Sequence, residues 1–193
     1  MRMILVLCIG LLVASTVFGQ GNRTQRLVET EKHVVDVELI DGEVVFRMEA
    51  ITDLTNDRDS TKPLGTGWDY AGIRVDINNN NVVDERIDIA FGTRQKSNIF
   101  CTQYLISEQA SSGCGVLPSK GRVKVDFVSS SLQKEPHPVF IYRIPVRELN
   151  GEGGKIGLVF RFADPKTGRK VYPSIESSFS FKETIQLDLS ELK

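Results

Sequence analysis

The stretch DINNNNVVDERID, residues 76–88, places oxygen-bearing side chains at the intervals of a calcium loop. With Asp76 as the first position of the pattern D-x-[DN]-x-[DN]-G, Asn78 and Asn80 fall at positions three and five, Asn81 at the glycine position, Val82 at the backbone-carbonyl position and Asp84 at position nine. Calcium takes six to eight hard oxygens at about 2.3–2.6 Å, and this spacing curls the chain so that alternate side chains converge on one ion. Asn81 suits the sixth place because Asn, after Gly, enters the left-handed region most easily. A helix-loop-helix site would carry a bidentate Glu at position twelve; here that residue is Ile87, which leaves Glu85 or Asp88 to close the cage. The competing reading is an Asn-rich hairpin tip whose amides satisfy turn backbone. Four consecutive asparagines between two aspartates exceed what a turn requires and favour calcium, at the modest affinity that two carboxylates and two amides imply.

A second constellation is aromatic. In GWDYAGIRVD, period-two alternation puts Trp68, Tyr70 and Arg74 on one face of a strand and Ala71, Ile73 and Val75 on the other. The second set reads as core. Outward Trp68 and Tyr70 could stack a sugar ring while Arg74 donates to its hydroxyls; the alternative is that both rings cap a sheet edge. Cys101 and Cys114 form an even pair beyond the leader, and in an oxidising compartment they read as one local disulfide, contributing about 3 kcal/mol by chain entropy.

Catalytic signals are weak. The chain has no G-x-S-x-G elbow and no H-E-x-x-H, and its two histidines, His33 and His137, are far apart in sequence. His137, between two prolines in EPHPVF, reads as a rigid strand entry rather than a base. The expectation is a protein that is not an enzyme. A net charge of −1, with both signs spread along the chain and no basic block, argues against nucleic acid and anionic membranes as partners.

The elements that must position these residues are strands. Residues 1–19, with Arg2, an apolar run from Ile4 to Val13 and small residues before Gly19, read as a secretory signal peptide, too short to serve as a transmembrane anchor. Residues 20–32 read as a polar flexible lead-in, with Asn22-Arg23-Thr24 a glycosylation acceptor if the source is eukaryotic. From His33 onward, short alternating apolar runs are punctuated by Gly and Pro: VVDVELI, an Asp41-Gly42 hairpin turn, EVVFRMEAI, YAGIRVDI, ERIDIAFG, NIFCTQYLI, GRVKVDFV, PVFIYRIPV, KIGLVFRFA, SFSF and TIQLDL. Only Pro145 to Leu149 suggests a helical turn. Residues 33–193 are therefore expected to form one all-β domain, an antiparallel β-sandwich of two sheets, secreted to an extracellular or periplasmic space.

The hairpin IDGEVVFRMEAITDLT, the strand with acidic tip YAGIRVDINNNNVVDE, HPVFIYRIPVREL and KIGLVFRFADPKTGR together resemble the DOMON-like sandwiches, most closely the family-nine carbohydrate-binding modules, over residues 33–189. The resemblance implies a non-catalytic binding sandwich that carries calcium in some members and clasps sugar between two aromatic rings. The chain has a single Trp, so Tyr70, Tyr142 or Tyr172 would have to supply the second ring. Related cytochrome-type domains hold haem through Met, here Met48, which alternates with Phe46 and Ala50 as a core residue would. The functional expectation is a secreted, calcium-stabilised carbohydrate-binding module whose partner is an extracellular glycan. The alternative is a structural or adhesive protein that binds another protein through its sheet faces.

Overall fold

In the computed structural model, described for residues 24–56, 69–84, 87–93, 100–104, 121–149, 154–164, 168–174 and 181–192, strands form two antiparallel sheets. The strands are β1 (Gln25–Glu29), β2 (His33–Ile40), β3 (Glu43–Ala50), β4 (Tyr70–Asp76), β5 (Ile89–Thr93), β6 (Phe100–Tyr104), β7 (Arg122–Val128), β8 (His137–Pro145), β9 (Lys155–Asp164), β10 (Gly168–Tyr172) and β11 (Ile185–Asp188). One sheet has the order β1-β2-β3-β8-β7; the other runs β10-β9-β4-β5-β6, with β11 also pairing to β9. The expected all-β sandwich is what the chain forms.

Period-two alternation supplies the core. Phe46 and Met48 of β3 and Phe140, Tyr142 and Ile144 of β8 face Ile73 and Val75 of β4 and Phe160 of β9 in one buried cluster. Phe46 and Phe160 meet across the gap with ring centroids 6.0 Å apart. Each such side chain removed from water contributes roughly 1.5–3 kcal/mol before chain entropy is charged against it. Met48 is fully buried here, as its alternation indicated. The Asp41-Gly42 turn closes the β2–β3 hairpin with φ of 51° and 77°, the positive values that a two-residue type I′ turn needs. The helical turn expected near Pro145 is a short 3-10 segment, Val146–Glu148.

Three expectations need adjustment. The lead-in is not wholly flexible: Gln25–Glu29 forms an edge strand against β2, with Val28 buried. A register shift between Arg26 and Val28 interrupts the alternation, which is why no period-two signal marks it. β10, GRKVY, was not anticipated because three of its five residues are exposed, and it is held by backbone pairing to β9. β5 starts at Ile89 rather than Glu85, because the Asp88 carboxylate turns back to cap the preceding loop. Residues 1–19, most of SFSF, Cys114 and the side chain of Cys101 lie outside the described residues, so the leader and the disulfide stand as sequence expectations. Among the described residues no helix is long and apolar enough to cross a membrane.

Tyr142 places a hydroxyl inside this apolar interior, and it donates to the Ala71 carbonyl of the opposite sheet at 2.6 Å. Tyr142→Phe should cost about 1–3 kcal/mol, because a buried carbonyl loses its donor. Urea denaturation should show an earlier midpoint at unchanged slope; an unaltered midpoint would remove this bond from the account.

Candidate functional site

Because β4 is the middle strand of its sheet, its two ends define two places where polar groups gather. At its start, the ends of both sheets leave a cavity of about 270 Å³. Its apolar walls include Phe140, Phe162, Ala50 and Leu54, and its polar lining comes from Lys32, His33, Thr52, Asp53, Asp69 and Tyr70. The loop following β3 is pinned: the Ile51 amide donates to the Lys32 carbonyl at 2.9 Å, Asp53 to Ala50 at 3.1 Å, and the Gln133 side chain to Ile51 at 3.3 Å. Within it, the Thr55 amide and hydroxyl both donate to Asp53 Oδ1. On the β2 side, His33 is packed on Phe162 with centroids 4.2 Å apart, and its Nδ1 lies 2.8 Å from the Tyr172 hydroxyl.

Tyr70, one of the three residues expected to touch a ligand, lines this cavity. Its phenolic end lies over a cross-strand glycine pair, Gly72 and Gly92; a Cβ on Gly92 would stand 2.7 Å from the hydroxyl, and one on Gly72 would run into it. Glycine at both positions therefore lets the ring lie against the sheet. Trp68 lies outside the described residues. Arg74 shares the face of Tyr70, as alternation required, but it is only 2% exposed. Burial, with the nearby Arg161 and Arg169 charges, pushes its guanidinium down to about 10. Arg74 is thus not a solvent-facing donor: its cross-strand neighbour Val159 is buried too, in a second apolar cluster with Val171 and Phe181. Of the rings weighed as a second aromatic, Tyr142 is enclosed in the core, whereas Tyr172 stands beside His33 near the cavity. Lys32, His33, Thr52, Asp53 and Asp69 were not anticipated. They come from three separate strand ends, the start of β2, the end of β3 and the start of β4, and carry no common spacing.

At the other end of β4 the Asn-rich loop closes on itself. Asp76 Oδ1 accepts the Asn80 amide at 3.2 Å and Oδ2 the Asn81 amide at 2.8 Å. The Asn78 and Asn80 side-chain amides both donate to Asp84 Oδ2, at 2.7 and 2.6 Å. Asp88 receives the Ile77 amide on one oxygen and the Asp84 amide on the other. Asn79 and Asn81 adopt φ of 55° and 63°, which accounts for asparagine at these places, since few other residues enter that region at low cost. Val82 points its side chain to solvent, and its amide donates to Asn80 Oδ1. Asp76, Asn78, Asn80 and Asp84 thus meet in one loop, joined by Asp88.

The loop is electrostatically tense. Asp76 and Asp88 are fully buried, and burial raises both carboxyls, Asp88 to about 6. Asp84 is held below the usual range by the Asn78 and Asn80 amides. Asn78 Oδ1 and Asn79 Oδ1 are buried acceptors with no hydrogen-bond partner.

His137 is enclosed as the first residue of β8. Its Nδ1 lies 2.9 Å from the Glu135 carbonyl, and its Nε2 lies 2.8 Å from Glu49 Oε2. A carbonyl only accepts, so Nδ1 carries a hydrogen. Burial would raise Glu49, but hydrogen bonds from His137, Ser130 and Arg47 outweigh it and hold the carboxyl low. This is a strand-entry pin, as the flanking prolines indicated.

No protein-family model and no curated protein matches the sequence. Among solved structures, the chain superposes on a family 9 carbohydrate-binding module from Caldicellulosiruptor kristjanssonii, solved in complex with cellotriose, over 84% of this chain and 77% of that one, with a TM-score of 0.54. This chain has the family-nine module fold. Sequence identity is 12%, so the likeness is one of fold. Within that fold, the cavity at the start of β4 and the acidic loop at its end are features of this chain's own residues.

The raised Asp88 carboxyl gives a signed expectation. Its folded form holds a proton more tightly than an ordinary carboxyl, so the stability it contributes is present at acid pH and is lost as pH rises through about 6. In chelator, the protein should gain stability as pH falls from 7.5 toward 4, and Asp88→Asn, which does not titrate and keeps one of the two acceptor oxygens, should flatten that gain and cost more at pH 4 than at pH 7.5. Thermal melts across that range check it; a mutant equally destabilised at both pH values would assign Asp88 a purely hydrogen-bonding role.

Proposed function

We propose that this chain is a secreted, non-catalytic carbohydrate-binding module that seats a sugar ring in the cavity at the start of β4 and stabilises the opposite end of that strand with calcium. The observation that carries the reading is the cavity itself. Its volume suits one pyranose ring with part of a neighbour, its aromatic and aliphatic walls match the apolar faces of a sugar, and Asp53, Asp69, Thr52 and Thr55 supply polar groups at the margin. The pinned loop after β3 favours binding, because ordering is complete before the ligand arrives. The shared fold with a module solved in complex with cellotriose supports the same class of ligand.

The calcium proposal rests on the fit of the acidic loop. Among the described residues no three His, Cys, Asp or Glu side chains converge on one point, so an ion here would draw on amide and main-chain oxygens as well. That mixed hard-oxygen set suits calcium and disfavours softer transition metals. Asp76 and Asp84 would supply charge, and Asn78 and Asn80 would supply amide oxygens after a half-turn of each side chain exchanges nitrogen for oxygen. Asp88 would stay on the Ile77 and Asp84 amides, and calcium would hold the loop that joins β4 to β5.

Isothermal calorimetry of the secreted protein with cellotriose should show binding with a Kd near or below a millimolar, and Tyr70→Ala should weaken it about tenfold while the fold persists. Absence of heat with cellotriose and with a wider glycan panel would overturn the sugar assignment. Separately, calcium at about a hundred times its Kd should add roughly 2.7 kcal/mol to stability, a rise of several degrees in melting temperature, and Asp76→Ala should abolish that rise. Identical melting curves with calcium and with chelator would remove the ion from the account.

A further inference from the structure

Beside the cavity lies a second, more open groove of about 340 Å³, lined by Thr30, Glu31, Lys32, Lys170 and Tyr172. The two share Lys32, and the hydrogen bond between His33 Nδ1 and the Tyr172 hydroxyl links their walls. Tyr172 is fixed there: its hydroxyl also lies 3.4 Å from Thr30 Oγ1, and its ring meets Phe162 edge-on at 6.1 Å. Thr30 is fixed in turn, receiving the His33 and Lys32 amides on its hydroxyl oxygen.

The two compartments differ in charge. The cavity carries the carboxylates of Asp53 and Asp69, acceptors for sugar hydroxyls, against the shared ammonium group of Lys32. The groove carries the ammonium groups of Lys32 and Lys170 against the single carboxylate of Glu31, and both lysines are exposed at the ends of flexible stems. An oligosaccharide running out of the cavity past Tyr172 would therefore pass from carboxylates to ammonium groups. We propose that the groove is an adjoining subsite for an anionic sugar residue, one bearing a uronate carboxylate or a sulfate ester. This proposal rests on the cavity being the sugar site.

The test titrates the protein with three probes of one backbone: cellotriose, cellotriose oxidised to a carboxylate at C6 of one ring, and cellotriose sulfated at that position. At low salt the charged probes should bind about three- to tenfold more tightly than the neutral one, and the preference should shrink as salt is raised. Lys170 lines the groove and not the cavity, so Lys170→Gln should reduce the preference with cellotriose affinity unchanged, and Lys170→Glu should abolish or reverse it. Preference for the carboxylate alone identifies a uronate, for the sulfate alone a sulfate ester, and for both a site that reads charge. Cellotriose binding with no gain for either charged probe, or a preference that Lys170→Glu leaves intact, overturns the subsite and leaves the sugar assignment standing. Failure of all three probes removes both.

Discussion

Strand β4 runs through the middle of its sheet with residues 71–76 buried on both faces, and that double burial dictates what its two ends can do. Its inward residues, Ala71, Ile73 and Val75, close the main core against β3 and β8. The outward ones, Gly72, Arg74 and Asp76, are polar or small, yet they too are removed from water. A strand with no wet face presents no ligand surface along its length, and polar groups gather at its ends instead. One end opens between the sheets as a cavity, and the other turns into the Asn-rich loop.

The same burial sets the electrostatics of the loop. Asp76 is carried out of water by the strand and Asp88 by its packing against the turn, and among the described residues the donors to each are backbone amides. Amide donors offset part of the desolvation cost of a carboxylate but leave its charge uncompensated. The four asparagines answer a geometric need, with Asn79 and Asn81 taking left-handed backbone and Asn78 and Asn80 turning their amides on Asp84. A divalent cation would meet the remaining electrostatic need.

Much of the fold was legible in the sequence because half-buried antiparallel strands write their alternation into it, as in EVVFRMEA, and because Asp41-Gly42 announces its turn. β1 escaped notice because its bulge breaks the period, and β10 because an edge strand held by backbone bonds needs no apolar pattern. The site was less legible. Asp76, Asn78, Asn80 and Asp84 are neighbours in sequence, so their meeting in one loop was legible in their spacing; Lys32, Asp53 and Asp69 are brought together only by folding. Alternation correctly put Arg74 on the face of Tyr70, but it could not reveal that this face is buried at Arg74, beside a second apolar cluster to which the distant Phe181 contributes.

The central claim is that sugar enters the cavity at the start of β4. A crystal structure of the calcium-loaded protein soaked with cellotriose tests it most directly. The account predicts a pyranose ring between Tyr70 and the loop carrying Asp53, with its hydroxyls toward Asp53 and Asp69. A ring seated instead on the outer face of either sheet, with this cavity holding only water, would contradict it.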